Sequence, residues 1–251
     1  MNLKSYLERI NYRGSLVPTS ETLRQLQVAH LLTVPFENLS IHRKEAILLE
    51  TEFLFEKIVE RRRGGFCYEV NGSFAALLRG LGFQVAMLAA EVAKADGGFG
   101  PNFDHLALMV TLERPWLVDV GFGDSFREPL LLDERGVQVQ GERAYQIISD
   151  GTKLILNQRD QSDLWKTQYR FTLQPYNLAD YAEMCRFHQT SPSSHFTQKR
   201  VCSRTTEEGR ITLSETSFIT TLKSGERKER AVKNQEEYQA ILREHFGIFI
   251  A

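Results

Sequence analysis

Three residues in the first half of the chain could supply a nucleophile, a general base and an acid that orients the base. They are Cys67, His105 and Asp119. Cys67 follows two glycines and begins a stretch with helical periodicity, so its thiol is predicted to lie at a helix N-terminus. The partial positive charge at that end of a helix favours a thiolate over a thiol. The sequence therefore predicts a nucleophilic cysteine with a lowered pKa.

His105 and Asp119 belong to a predicted β-hairpin. The strand that begins at His105 has apolar residues on both faces, and a second strand, Trp116 to Val120, follows after a short turn. Pairing of these strands would bring Asp119 to His105. A carboxylate on one ring nitrogen makes the other nitrogen more basic, and an imidazolium beside Cys67 would lower the thiol pKa. Each residue alone could be structural, but the three together favour a catalytic triad.

The composition predicts a chain with a packed core and shows no strong excess of positive or negative residues. It has 251 residues, 42% of them hydrophobic, with 31 Lys plus Arg against 32 Asp plus Glu. A formal net charge of -1 gives no electrostatic reason to expect a nucleic acid or an anionic membrane as partner, although local basic patches for a phosphorylated ligand remain open. No stretch approaches the roughly 20 apolar residues of a membrane helix. We expect a cytoplasmic protein.

Hydrophobic periodicity divides the chain into three regions. Residues 1–82 favour helices, which are predicted near 3–10, 21–33, 52–62 and 67–81. In residues 83–190 the period is that of strands, predicted at 84–92, 105–112, 116–120, 145–148, 153–157 and 165–173 and followed by a helix near 178–189. Successive short antiparallel strands suggest a barrel or a strongly curved sheet. Residues 191–251 are interpreted as a small α/β unit with strands at 211–213, 218–222 and 229–232 and a final helix at 234–246.

Two features near the candidate triad predict how it is held. A glycine-rich link at residues 96–102 falls just before His105 and is predicted to be a mobile loop. Glu37 and Arg63 are predicted to form a buried ion pair that fixes the loop before Cys67. Cys185 and Cys202 are interpreted as bystanders, and the three cysteines lack the close spacing of a zinc or dithiol motif. The remaining histidines lack a matching acid and thiol: His30, His42, His188, His195 and His245.

Four motifs give the chain a resemblance to the arylamine N-acetyltransferase family. They are Val34 to Leu39, Arg63 to Glu69, His105 with Leu106, and Asp119 to Gly123, in the order and spacing of that family. The resemblance implies an α+β fold: an N-terminal helical bundle, a central antiparallel β-barrel and a C-terminal α/β lid, with a catalytic core like that of cysteine proteases. It also implies that no metal takes part.

The resemblance further implies ping-pong acetyl transfer. Acetyl-CoA would acetylate Cys67, and the acetyl group would pass to an arylamine, a hydrazine or an N-hydroxyarylamine. His105 would relay protons, and Asp119 would orient His105 and stabilise its charged form. Weakly basic amines suit this chemistry because their nitrogen is unprotonated near neutral pH. The backbone N–H of Cys67 is the expected oxyanion donor.

Other residues acquire expected roles from the same resemblance. Three aromatic residues could wall an aromatic-amine pocket, with ordinary core packing as the alternative for each: Phe36, Phe122 and Phe187. Gly121 and Gly123 would let the backbone approach the pantetheine arm of acetyl-CoA closely.

Three alternative functions remain open from the sequence. Amide synthases of the same family close macrolactams from a carrier-bound or CoA-like thioester. A hydrolase or a transglutaminase-like enzyme could use the same cysteine, histidine and aspartate on peptides or glutamine side chains. A non-catalytic binding protein could retain the fold, in which case Cys67 would show ordinary thiol reactivity.

Overall fold

The computed structural model describes residues 1–160 and 164–250. Its first third consists of α-helices and one short strand: α1 (Leu3–Arg9), α2 (Ser20–Thr33), β1 (Phe36–Glu37), α3 (Leu39–His42), α4 (Thr51–Phe55) and α5 (Cys67–Gly80). The Thr19 side chain accepts a hydrogen bond from the backbone N–H of Thr22 and so caps α2 where the sequence predicts its start. The helix predicted near 52–62 is instead α4 followed by a π-helical turn, Glu56–Glu60.

Eight antiparallel strands form the central sheet. They are β2 (Gln84–Val92), β3 (His105–Thr111), β4 (Pro115–Val118), β5 (Leu130–Leu131), β6 (Gln138–Gln140), β7 (Arg143–Asp150), β8 (Lys153–Arg159) and β9 (Trp165–Tyr176). Their order is β5-β4-β3-β2-β9-β8-β7-β6. The side-chain amide of Gln138 in β6 accepts from Leu131 N at 2.8 Å and donates to Leu131 O at 3.0 Å, which links the two outer strands. The sheet is therefore a nearly closed barrel.

A second sheet covers one side of the molecule. After a 3₁₀ turn at Leu178–Tyr181 come α6 (Ala182–Thr190), α7 (His195–Gln198), β10 (Val201–Thr205), β11 (Gly209–Ser214), β12 (Ser217–Leu222), β13 (Arg227–Ala231) and α8 (Gln235–Phe246). The strand order is β1-β10-β11-β12-β13, with Phe36 opposite Ser203 and Glu37 opposite Cys202. The sequence predicts only a connector at Phe36 and Glu37, whereas the C-terminal sheet takes this segment as its edge strand.

Strand β3 separates two hydrophobic cores. Leu106 and Leu108 pack with the helices of the first third, and Ala107 packs inside the barrel with Leu117 of β4. Leu108 lies opposite Val118, so the predicted hairpin is present. The predicted α+β fold with a central antiparallel barrel is confirmed, while the boundaries at residues 82 and 190 remain predictions. Within the described residues, no helix combines the length and apolar character needed to cross a bilayer.

Candidate active site

Cys67 is the first residue of α5 and is 3% exposed. The two glycines before it are required by close packing: a Cβ on Gly64 would overlap the carbonyl oxygen of Pro35, and a Cβ on Gly65 would overlap the side chain of Glu69. Any larger residue at either position would displace the turn that delivers the thiol. The predicted placement of Cys67 at a helix N-terminus is confirmed.

Two buried ion pairs hold the turn before Cys67. Arg63 Nη2 lies 2.8 Å from Glu37 Oε1, and both side chains are almost fully buried, which confirms the predicted pair. Lys57 Nζ lies 2.6 Å from Glu69 Oε1, while Glu69 Oε2 accepts the backbone N–H of Phe66 at 3.1 Å. Burial raises the pKa of Glu69, and the charge of Glu37 raises it further, whereas Lys57 lowers it. Removing Lys57 would therefore leave a poorly compensated buried carboxyl.

His105 and Asp119 are in direct contact. His105 Nε2 lies 2.6 Å from Asp119 Oδ2, and both side chains are buried. His105 is the first residue of β3, and Asp119 directly follows β4, so the hairpin brings them together. With Nε2 directed at the carboxylate, Nδ1 is the nitrogen left to exchange a proton elsewhere.

The Asp119 carboxylate has three further hydrogen-bond donors. Oδ1 accepts from Asn71 Nδ2 at 2.9 Å and from Gly121 N at 2.8 Å, and Oδ2 accepts from the Tyr169 hydroxyl at 3.1 Å. Burial raises the pKa of Tyr169, and Asp119 raises it further, so the hydroxyl stays protonated as a donor. These donors fix the orientation of the Asp119 carboxylate.

The sequence analysis does not identify Asn71 or Tyr169 as site residues. Asn71 had a usable signal, because it lies four residues after Cys67 and therefore on the same face of α5. It also bridges elements: its Nδ2 donates to Leu106 O at 2.7 Å, and its Oδ1 accepts from Val120 N at 2.9 Å. Tyr169 had no local signal, since it comes from β9.

The thiol of Cys67 does not have the lowered pKa that the sequence predicts. Burial raises the pKa of the thiol well above its usual value, and the negative charges of Asp119 and Asp104 raise it further. The backbone N–H of Leu106 donates to the thiol and lowers the pKa, but less than burial raises it. The helix N-terminus alone is therefore insufficient, and a thiolate here needs a proton acceptor that becomes a cation. Leu106 directly follows His105, which places the thiol beside that segment.

The three predicted aromatic residues occupy different places. Phe122 packs edge-on against the His105 ring with centroids 5.0 Å apart, and it also contacts Tyr169 at 4.8 Å. Phe36 lies next to the turn before Cys67 and packs against Phe196, with centroids 6.0 Å apart. Phe187 is 38% exposed and packs against the ring of His188. The structure therefore places Phe122, but not Phe187, against the ring of His105.

The two predicted glycines also differ. A Cβ on Gly121 would lie 2.8 Å from Cys67 Cα, so this glycine permits close packing of the hairpin end against α5. Gly123 has φ +90° and open space where a Cβ would be.

Just beyond Gly123 lies a cleft of about 410 Å³ between the barrel and the C-terminal sheet. Four cationic side chains contribute to its lining: Arg127, Arg143, Arg210 and Lys223. Three acidic side chains also line the cleft, Asp124, Glu128 and Glu142. Asp124 pairs with Arg143 at 2.8 Å and with Arg210 at 3.3 Å. Ser125, 8% exposed, also lines the cleft, and its hydroxyl has no hydrogen-bond partner among the described residues. An anionic ligand could use these donors.

One of the other histidines has an acidic neighbour that the sequence does not indicate. His188 has an acid beside it, because its Nε2 lies 3.3 Å from Asp104 Oδ1. The acid was missed because 84 positions in sequence separate residues 104 and 188. Within residues 1–160 and 164–250, no group of three or more His, Cys, Asp or Glu side chains is arranged to hold a metal ion.

The chain is similar to known proteins over nearly its full length. A model of the N-acetyltransferase family matches residues 19–251. The arylamine N-acetyltransferase of Escherichia coli K12 is 32% identical over 249 residues, which cover 98% of this chain and 88% of that one. The chain belongs to the arylamine N-acetyltransferase family. Membership in this family of acetyltransferases is consistent with acetyl transfer.

Two further relatives are informative. The arylamine N-acetyltransferase of Mycobacterium marinum, solved in complex with CoA, is 32% identical, with a TM-score of 0.91 over 98% of this chain and 93% of that one. The proansamycin X synthase of Amycolatopsis mediterranei is 29% identical over 96% of this chain and 95% of that one. The relatives thus include an acetyltransferase solved with CoA and a synthase.

Proposed function

We propose that this protein transfers an acetyl group from acetyl-CoA, through a thioester on Cys67, to arylamines, hydrazines or N-hydroxyarylamines. The observation that carries the proposal is the 2.6 Å contact between His105 Nε2 and Asp119 Oδ2, beside a cysteine at the first position of a helix. Asp119 balances the charge of an imidazolium at His105. Since burial disfavours a lone thiolate at Cys67, proton transfer to His105 is what makes the nucleophile available.

In the first half-reaction, His105 Nδ1 takes the thiol proton and Cys67 Sγ attacks the thioester carbonyl. The backbone N–H of Cys67 lies at the first position of the helix, has no partner one turn earlier within the helix, and can donate to the oxyanion. His105 then gives its proton to the departing CoA sulfur. The products are free CoA and acetylated Cys67.

In the second half-reaction, the acceptor nitrogen attacks the acetyl carbonyl on Cys67. His105 takes the proton that the nitrogen loses, and the Cys67 thiolate leaves and regains a proton from the imidazolium. Aromatic amines and hydrazines fit this step because they are largely unprotonated near neutral pH, whereas alkyl amines are mostly ammonium. Phe122, against the His105 ring, supplies an apolar wall for an aromatic acceptor, and Phe36 supplies a second beside the turn before Cys67.

The cleft beyond Gly123 suits the phosphorylated half of acetyl-CoA. Its cationic lining includes Arg127 and Lys223, and the buried Ser125 hydroxyl offers a further hydrogen bond. The open side of Gly123 leaves room for the pantetheine arm to pass between this cleft and Cys67. The mycobacterial relative solved with CoA supports the choice of donor.

The proposal is tested by initial rates of acetyl transfer to aniline at several fixed acetyl-CoA concentrations. Double-reciprocal lines should be parallel, and Cys67→Ala should abolish transfer. Cys185→Ala is the matched control, since it removes another buried thiol and should retain transfer. Intersecting lines, or transfer by Cys67→Ala, would contradict the proposal.

The proansamycin X synthase relative favours one second candidate, an amide synthase that closes macrolactams. Under that reading, the acyl group on Cys67 would come from a larger thioester and the amine would belong to the same molecule. Indifference to acetyl-CoA, together with loading by a long-chain acyl thioester, would favour the synthase.

A further inference from the structure

His188 connects two segments on the cysteine side of the site. It lies in α6 and is 6% exposed. Its Nδ1 lies 3.0 Å from Ser194 Oγ, and its Nε2 lies 3.3 Å from Asp104 Oδ1. The second contact has the distance of an ion pair without the alignment of a hydrogen bond. The imidazole therefore joins the segment after α6 to the segment that precedes β3.

Asp104 ends the turn that delivers His105. Its backbone N–H donates to Pro101 O at 3.2 Å, and Phe103 within this turn has φ +64°, a left-handed conformation that is unfavourable for a bulky residue. A strained residue of this kind persists only where its surroundings hold it. Tyr68, next to Cys67, supplies one restraint, because its hydroxyl donates to Phe103 O at 2.6 Å. The contact between His188 and Asp104 supplies another.

Aromatic rings fix the orientation of the His188 imidazole. Phe66 and Phe196 pack against it edge-on, with centroids 6.4 Å and 5.1 Å away, and Tyr68 lies at 6.0 Å. Two titratable groups face the imidazole: the Asp104 carboxyl and the Tyr68 phenol, and burial raises the pKa of that phenol. The imidazole is thus the local partner for the Asp104 charge.

That charge matters for the nucleophile. Burial is the main cause of the raised pKa of Cys67, and nearby Asp119, Cys185 and Asp104 raise it further. A polar N–H group or a cation beside Asp104 weakens this effect, because it offsets the field that the carboxylate exerts on the thiol. His188 is the side chain placed to do so.

We propose that His188 is a positioning residue, whose imidazole ties Asp104 and the turn before His105 to Ser194 and shields Cys67 from the Asp104 charge. The inference rests on the proposed role of Cys67 as the nucleophile. It adds a second imidazole and carboxylate pair on the cysteine side of the site. Loss of His188 should therefore change the ionisation of Cys67 as well as the stability of the turn.

The test is the pH dependence of Cys67 alkylation by iodoacetamide, which needs neither acetyl-CoA nor an amine. In His188→Phe, which keeps a ring in place, the midpoint of alkylation should rise by about one pH unit, equivalent to about a tenfold lower rate on the acidic side. In Asp104→Asn the midpoint should fall. In the double variant the effect of His188→Phe should disappear, because the charge to be shielded is gone.

His195→Phe is the matched control, since this histidine is exposed and lies on the short helix that follows Ser194; its midpoint should equal that of the unmodified chain. If His188→Phe fails to fold, His188→Gln replaces it, since glutamine retains a side-chain donor. The alkylation midpoint of His188→Gln should rise by less than one pH unit, and adding Asp104→Asn should remove that rise. The inference would be overturned if the His188 variant that folds had an unchanged alkylation midpoint, or if its midpoint still rose when Asp104→Asn was added. A chain that shows the predicted midpoints but transfers no acetyl group would instead overturn the proposed function.

Discussion

At the scale of single residues, the site depends on how one buried carboxylate is held. Asp119 accepts hydrogen bonds from Asn71, Gly121 and Tyr169 and contacts His105 at 2.6 Å. Four partners compensate for the desolvation of the anion, so that its charge remains available to stabilise an imidazolium. The thiol of Cys67 is 3% exposed, and the Leu106 N–H that donates to it offsets only part of the effect of burial. Its reactivity therefore depends on His105.

Asp119→Asn tests this dependence. The side-chain NH₂ of asparagine would face at least one group that now donates to Asp119, so a hydrogen bond would be lost. The neutral amide could also no longer balance the charge of an imidazolium at His105. We expect kcat/KM for acetyl transfer to fall by about 10⁴-fold, as when the orienting acid of a serine-protease triad is lost. Asp133→Asn is the control, because Asp133 is an exposed partner of Arg114. A loss of less than tenfold in Asp119→Asn would contradict the assigned role.

At the scale of elements, two short structures set the position of Cys67. The π-helical turn Glu56–Glu60 directs Lys57 to Glu69, and the capping contact from Glu69 to Phe66 N fixes the start of α5. On the other side, Glu37 of β1 holds Arg63. The turn before Cys67 is thus anchored both to its own helix and to the edge strand of the C-terminal sheet.

Lys57→Met should destabilise the protein in a pH-dependent way. The pKa of Glu69 in the folded protein is already raised by burial, so folding favours its neutral form, and this contribution to stability is lost as pH rises through the folded pKa. Without Lys57 the pKa would rise further. Denaturant unfolding should therefore show a loss of about 3 to 5 kcal/mol near pH 7 and a smaller loss near pH 5.

Two variants complete the Lys57 experiment. Lys4→Met removes an exposed pair with Glu8 and should leave stability unchanged at both pH values. Adding Glu69→Gln to Lys57→Met should remove the pH dependence, because the group that titrates is gone. A loss of stability in Lys57→Met that is the same at both pH values would contradict the account.

Local patterns predict the elements that carry Cys67 and His105. Two glycines, helical periodicity and a closing glycine define α5, and apolar runs define β2 and β3. Very short strands lack a period: β5 has two residues and β6 has three, and both went unpredicted. Tyr169 reaches Asp119 only because β9 pairs with β2, which in turn pairs with β3. Strand order of this kind is a long-range property.

Local sequence patterns also could not predict that the pKa of Cys67 is raised. A helix N-terminus can be read from the sequence, but the depth at which the thiol is buried depends on how α5 packs against β3. Gly121 shows the same limit. Its glycine identity suggested a close approach to a ligand, whereas its missing Cβ makes room for Cys67 Cα.

At the scale of the whole molecule, the site lies where the three structural regions meet. The helices of the first third provide Cys67, the barrel provides His105 and Asp119, and the C-terminal sheet faces the barrel across the cationic cleft. β1 ties the first region to the C-terminal sheet through pairing with β10. The proposed CoA site in the cleft is separate from Cys67, so a substitution in the cleft should change binding without changing the chemistry.

Lys223→Ala should weaken acetyl-CoA binding without affecting the chemistry. Lys223 lines the cleft and is exposed, so loss of its contact with a phosphate should raise KM for acetyl-CoA by about fivefold, or about 1 kcal/mol, with kcat retained. The difference should shrink at high salt. Lys228→Ala, on β13 and paired with Glu226, is the control. An unchanged KM in Lys223→Ala would place the phosphates elsewhere.

The central claim is that Cys67 carries the acyl group, and intact-chain mass spectrometry after incubation with acetyl-CoA tests it most directly. The account predicts that the chain gains the mass of one acetyl group, that peptide mapping places the group on Cys67, and that addition of an arylamine restores the original mass. A chain that stays unmodified with acetyl-CoA, or that becomes acetylated equally in Cys67→Ala, would contradict the account.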